Sequence, residues 1–185
     1  PNLLERSLCA RRRSSPTARE GGTMIRSIAA LLVGLLISAS CLAQQKSLKE
    51  QILGSWSFVS ALNVRPDGSK SNSWDPGATG SLIYLPNGRF SFMIMRSDIP
   101  KFEREKATPE QHKAAVQGLI AYHGTYTVDE KAKTIVHRVQ GSSFAAFNGT
   151  EQKRIVTSIT ADELKYTNPV TSFGGKVDSV WKRAK

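Results

Sequence analysis

A glycine two places before a tryptophan, Gly54-Ser55-Trp56, opens a run of short alternating segments that ends at Trp181-Lys182-Arg183. A tryptophan at the start of an up-and-down series of strands plugs one end of a small barrel, and an arginine near the last strand lies across its ring. Trp56 and Arg183 are therefore assigned to a barrel-end plug. A closed barrel with one sealed end is a cup, a shape suited to holding a small molecule.

The strand assignment rests on period-2 alternation between turn signals. The first strand spans Gly54–Val64, with Trp56, Phe58, Leu62 and Val64 on one face, and Arg65-Pro66-Asp67-Gly68 ends it with turn chemistry. Residues 71–80 read as a loop carrying Trp74, and the second strand covers 81–85. Pro86-Asn87-Gly88 follows; Asn-Gly between two apolar runs is a strong hairpin signal. The third strand runs from Arg89 to Met95. Thr108, Pro109 and Gln111 then read as N-cap, first-turn proline and capping-box partner of a helix over 109–121. Ala115, Val116, Leu119 and Ile120 form its apolar stripe, placing it on the barrel or across its mouth. Strands over 122–128, 133–140, 152–160, 163–167 and 176–183 complete eight. Eight strands in one flat sheet leave two bare edges and half the apolar side chains in water; closure removes both problems. The fold class is all-β, an eight-stranded antiparallel up-and-down barrel with one short helix.

Residues 1–43 read differently. Met24-Ile25-Arg26, an uncharged apolar stretch over 27–37 and the small-residue run to Ala43 have the layout of a secretory signal peptide over 24–43. The stretch is shorter than the roughly 20 residues of a membrane span. Residues 1–23, with Arg11-Arg12-Arg13, read as disordered or as translation upstream of Met24. Cys41 as an acylated lipoprotein cysteine is the lesser alternative. These features place the barrel domain, 44–185, in the periplasm or outside the cell. Both cysteines, Cys9 and Cys41, precede it, so it has no disulfide and no cysteine metal ligand. Its net charge is +7, with basic residues scattered rather than clustered, which points away from nucleic acid.

Ile52-Leu53-Gly54-Ser55-Trp56, Gly80-Ser81-Leu82-Ile83-Tyr84 with Pro86-Asn87-Gly88, Tyr122-His123-Gly124-Thr125-Tyr126-Thr127-Val128-Asp129 and Gly149-Thr150-Glu151-Gln152-Lys153-Arg154 together resemble the bacterial and fungal lipocalin-like domain family over about residues 52–183. The resemblance implies a small β-barrel, often exported, that binds an apolar small molecule; it implies no known reaction. Two departures bear on ligand choice. Arg138 stands where the family tends to carry a second histidine, and Phe147 stands near the place of a tryptophan.

Candidate ligand-binding residues are Phe58, Tyr84, Phe92, Tyr126, His137, Gln152, Arg154 and Tyr166. His137 shares a strand face with Ile135 and Val139 and so points inward. There it orients a ligand carbonyl or acts as a general acid–base group, unless it is an ordinary core histidine satisfied by a tyrosine or the backbone. Arg154 shares a face with Gln152, Val156 and Ser158. If inward, it demands an acceptor: an internal carboxylate, Gln152 or an acidic ligand group. Met93, Met95, Phe144 and Phe147 supply an adaptable rim. His112, His123 and His137 do not assemble a metal site convincingly, and no cofactor is expected. No G-x-S-x-G elbow or phosphate loop occurs, and Asn148-Gly149-Thr150 reads as a turn rather than a glycan acceptor. The expected function is binding of an apolar or weakly acidic small molecule inside the barrel. The alternatives are an isomerase, cyclase or hydratase using His137 with a tyrosine, and a partner-binding domain with a filled interior.

Overall fold

The computed structural model describes residues 46–171 and 175–185. The expectations for 1–43, including the signal peptide, Ala43 and Cys41, lie outside the described residues. The chain starts with a helical turn, α1 (Leu48–Ile52), followed by strand β1 (Gly54–Val64). A short strand β2 (Lys70–Asn72) folds back on the end of β1, formed by a turn in which Gly68 takes φ +83. β3 (Thr79–Tyr84) and β4 (Arg89–Met95) form the Asn-Gly hairpin, Gly88 at φ +79. Helix α2 (Pro109–Gln117) precedes β5 (Leu119–Asp129), β6 (Thr134–Ser142), β7 (Glu151–Ile159), β8 (Glu163–Asn168) and β9 (Lys176–Arg183). Every pairing is antiparallel between neighbours, and β9 closes the ring on β1 from Trp56↔Arg183 to Val64↔Lys176. The barrel thus has eight strands, with β2 as an added edge.

Four local expectations differ from the structure. The helix stops at Gln117, with Gly118 as its C-cap donating to the Ala114 carbonyl. Leu119 and Ile120 instead pair with Met95 and Ile94, so the expected stripe dissolves and Val116 is 71% exposed. Glycine is a poor helix former, and an open strand edge on β4 recruits the apolar pair that follows it. The loop over 71–80 yields β2 at one end and the start of β3 at the other. In β1 a bulge at Val59 shifts the phase, so that Ala61, not Leu62, follows Trp56 and Phe58 into the core. A second bulge at Thr157 turns Ser158 outward and packs Ile159 against the core in its place.

One end of the barrel is sealed. The α1 turn is capped by Ser47 and Glu50 in a reciprocal box, and it buries Leu48 and Ile52 beneath Trp56. The carboxylate of Glu130, in the β5–β6 turn, accepts hydrogen bonds from the Leu48 and Lys49 amides at 2.7 and 2.9 Å. Arg183 lies 3.9 Å over the Trp56 ring and donates to the carbonyls of Leu53, Gln51 and Ala161. Trp56 itself is fully buried and donates to the Ile52 carbonyl. At the opposite end lie the β4–β5 connection with α2, the β6–β7 loop, the end of β8 at Asn168 and the start of β9 at Lys176.

Candidate functional site

The inner face of β6 carries Ile135, His137 and Val139, all buried. β7 pairs with it so that Ile135 opposes Arg154 and His137 opposes Gln152. His137 and Arg154 are therefore diagonal neighbours on the inner wall. His137 has no exposed surface, and Arg154 is 3% exposed. This answers the open question about Arg154: its guanidinium lies inside the barrel.

Aromatic rings surround the pair. The His137 imidazole stacks on Phe90 with centroids 4.0 Å apart, and its Nε2 lies 2.7 Å from the Tyr84 hydroxyl. Phe92 stacks on Tyr122 at 4.4 Å and meets Trp181 edge-on, as does Phe58. Tyr166 stacks on Trp181 at 6.4 Å and receives the Arg154 guanidinium over its ring at 5.7 Å. Six of the eight candidate ligand residues, Phe58, Tyr84, Phe92, His137, Arg154 and Tyr166, thus converge on one interior.

The other two border this interior with their polar ends committed, the Tyr126 ring meeting Tyr84 edge-on at 4.9 Å. The Tyr126 hydroxyl donates to the Leu85 carbonyl at 2.9 Å, bracing the β3–β4 turn at the sealed end. The Gln152 amide donates to Thr150 Oγ1 at 2.9 Å, and Thr150 in turn donates to the Phe147 carbonyl. Gln152 is a strut for the β6–β7 loop rather than a partner of Arg154. Strand phase put Gln152 on the same face as Arg154, but only the loop's return path reveals what it holds.

The charges in this interior follow from burial. Desolvation, with the Arg154 charge as a second cause, holds the His137 pKa well below its ordinary 6.5. Burial raises the pKa values of Tyr84, Tyr122 and Tyr166. Burial also works against the Arg154 cation, but the tyrosine oxygens around it favour the charge, and an arginine stays protonated. The site at neutral pH is one guanidinium cation among neutral hydroxyls and a neutral imidazole. No carboxylate among the described residues forms an ion pair with Arg154. Its Nη2 donates to the Tyr122 hydroxyl at 2.8 Å and its Nη1 to the Lys153 carbonyl at 2.8 Å. Arg154 Nε and His137 Nδ1 are buried without hydrogen-bond partners. Trp181 Nε1 is also unpartnered; the Tyr166 hydroxyl is near enough to feel it but does not meet hydrogen-bond geometry.

A family model described as a lipocalin-like domain matches residues 53–184. The chain belongs to the lipocalin-like domain family. Among curated proteins, this lipocalin-like chain is 32% identical over 95 residues to the 4′-hydroxy-3′-methoxypropiophenone carrier protein ppsC of Aspergillus oryzae, covering 45% of this chain and 85% of that protein. Among solved structures it is similar to a lipocalin-like protein from Bacteroides uniformis, at 12% identity and TM-score 0.42, covering 72% of this chain and 99% of that one. A redesigned β-barrel matches at 12% identity and TM-score 0.42, covering 77% and 100%.

Outside the lipocalin-like interior, the rim candidates scatter. Phe147 packs on Tyr122 and Phe144 on Phe147, both edge-on, forming an aromatic path from the exposed Phe144 towards Arg154. Met93 and Met95 sit on the outer face of β4, 41% and 37% exposed. Strand alternation puts them out of phase with Phe92, so they do not line the rim. His123 is exposed, on the opposite face of β5 from the buried Tyr122 and Gly124, and so cannot join His137. A bulge at Gln140 separates their registers. Among the described residues no group of three His, Cys, Asp or Glu side chains gathers as metal ligands. An open groove of about 410 Å³ at the barrel rim is lined by Val64, Arg65, Pro66, Val170 and Lys176 among others, and by none of the candidate site residues.

Proposed function

We propose that this lipocalin-like barrel is a carrier of a small, largely apolar molecule with one oxygen-bearing polar end. The observation that supports it is the pair of unpartnered nitrogens, Arg154 Nε and His137 Nδ1, inside a wall of aromatic rings. A buried polar group without a partner costs about 1–3 kcal/mol, more when charged, and a ligand oxygen relieves that cost. Rings and an imidazole stacked face to face suit a flat apolar body. The Aspergillus oryzae relative is named as the carrier of a phenolic ketone, a flat ring with oxygen at both ends, and that chemistry matches this interior. The test is titration with 4′-hydroxy-3′-methoxypropiophenone and simpler aryl ketones, following the fluorescence of Trp181 and isothermal heat. Saturable one-site binding that weakens in Arg154→Gln supports the carrier. Absence of binding across the aryl ketones and acids supports a filled barrel that works through its outer surface.

The 2.7 Å contact between Tyr84 and His137 favours a second reading, an acid–base enzyme in the same barrel. If His137→Ala abolishes turnover of a bound ligand while leaving its affinity intact, the enzyme stands; weakened affinity with no turnover supports the carrier. We further propose export, on the signal-peptide layout of residues 24–43. N-terminal sequencing of protein made in its own host supports export if the mature chain begins at Gln44, and a chain retaining Met24 overturns it.

A further inference from the structure

We infer that the ligand is taken as a monoanion, an aryl carboxylate or an ionised phenol, whose oxygen is seated by the Arg154 guanidinium. The inference rests on the carrier reading and specifies its ligand class. Arg154 is almost wholly buried, with no carboxylate counter-ion among the described residues. Its hydrogen bonds go to two neutral oxygens, the Tyr122 hydroxyl and the Lys153 carbonyl, and the neutral Tyr166 lies against it, its hydroxyl close by without meeting hydrogen-bond geometry. A buried cation is normally paired with an anion, and neutral acceptors only part-replace the water it has lost.

The neighbours cannot supply the missing charge. Tyr84, Tyr122 and Tyr166 are the hydroxyls facing it, and burial makes each harder to ionise. Tyr126, against Tyr84, is likewise harder to ionise, and His137 is neutral and adds no second positive charge. One uncompensated positive charge matches one negative charge. A dianion such as a phosphate monoester would leave a net negative charge buried, and an ammonium ligand would be repelled.

Geometry gives the anion a set of donors. Arg154 presents Nε with no partner and Nη2 to the Tyr122 hydroxyl rather than to a backbone carbonyl. Nε and Nη2 lie along one edge of the guanidinium fork, which receives the two oxygens of a carboxylate in parallel. The Tyr122 hydroxyl, held by the stacking of its ring on Phe92, lies beside that edge and can itself donate to a bound oxygen. His137 Nδ1, unpartnered and on the neighbouring strand, is a further neutral donor when its tautomer carries the proton there.

The test compares a neutral and an anionic form of one skeleton on the wild-type chain at pH 7. The probes are 4-methoxycinnamate, its methyl ester and its amide, with 4-methoxyphenethylamine as the cationic control. The acid is expected to bind about tenfold or more tighter than the ester and amide, with the amine not binding. Arg154→Gln is expected to remove that preference, acid and ester then binding about equally. A para-acyl phenol gives an independent readout needing no variant: its phenolate absorbance band in the complex should persist about one pH unit below its range in free solution. Ester binding equal to or tighter than the acid, with no shift of the phenol band, overturns the inference and leaves the carrier reading standing. Failure of acid, ester, amide and phenol alike overturns both.

Discussion

The Tyr84 hydroxyl and the His137 imidazole meet at 2.7 Å in the centre of the barrel, and burial disfavours ionisation of both. Moving a proton from tyrosine to histidine would create two buried charges. The contact is therefore a neutral hydrogen bond that fixes the imidazole on Phe90 and aims its second nitrogen at the interior.

That arrangement makes stability depend on pH through His137. Its folded pKa is depressed, so below about 6.5 the unfolded chain binds a proton that the folded chain refuses. The His137 contribution is complete above pH 6.5 and falls by about 1.4 kcal/mol per pH unit as acid is added, until the depressed folded value is reached. Urea unfolding at a series of pH values is expected to show this slope, and His137→Gln is expected to flatten it. An unchanged slope in the variant would assign the acid sensitivity elsewhere.

The sealed end hangs on Arg183. Its guanidinium makes three hydrogen bonds to carbonyl oxygens and covers Trp56. A lysine cannot serve three carbonyls in fixed directions or stack flat on an indole. Arg183→Lys is expected to cost about 2 kcal/mol in denaturant unfolding, with Arg183→Ala at least as costly.

Glu130 anchors α1 to the β5–β6 turn through two backbone amides. Glu130→Ala removes a carboxylate cap and is expected to cost about 1 kcal/mol. The distinctive readout is local. Amide exchange at Leu48 and Lys49 should accelerate, while the β3–β4 hairpin amides remain protected.

Gly124 lies at the β5–β6 register shift, where an added Cβ would collide with the Arg138 carbonyl oxygen. The clash is with backbone, so no rotamer relieves it. Gly124→Ala is expected to destabilise by about 3 kcal/mol or to prevent folding. Gly68→Ala is the contrast: nothing lies near its Cβ, and its cost comes from φ +83 alone, about 1 kcal/mol.

Much of this protein is legible along the chain. Alternating segments between Gly and Pro turns mark the strands, because a half-buried strand must show period 2. Gly54-Ser55-Trp56 and Arg183 mark the plug, and Thr108 with Gln111 marks the start of α2. Its end was less legible, since Leu119 and Ile120 fit a helix stripe and a strand equally well until β4 is there to pair with them. The α1 turn was missed, although Ser47 and Glu50 form a capping box that signals it.

The interior divides along the same line. Strand phase pointed His137 inward with Ile135 and Val139, because side chains alternate faces strictly within an uninterrupted stretch of strand, whereas the facing of Tyr84 and Arg154 was decided only by the closed barrel. Phase did not reach past the bulges at Val59, Gln140 and Thr157, each of which inverts it through a mismatch with the partner strand. Only the closed barrel decided that Arg154 meets Tyr122 rather than Gln152, and that Arg154 Nε and His137 Nδ1 are left without partners. Those partners come from strands up to 53 residues apart, as Tyr84 and His137 do, and no local pattern encodes which groups a ring of eight strands brings face to face.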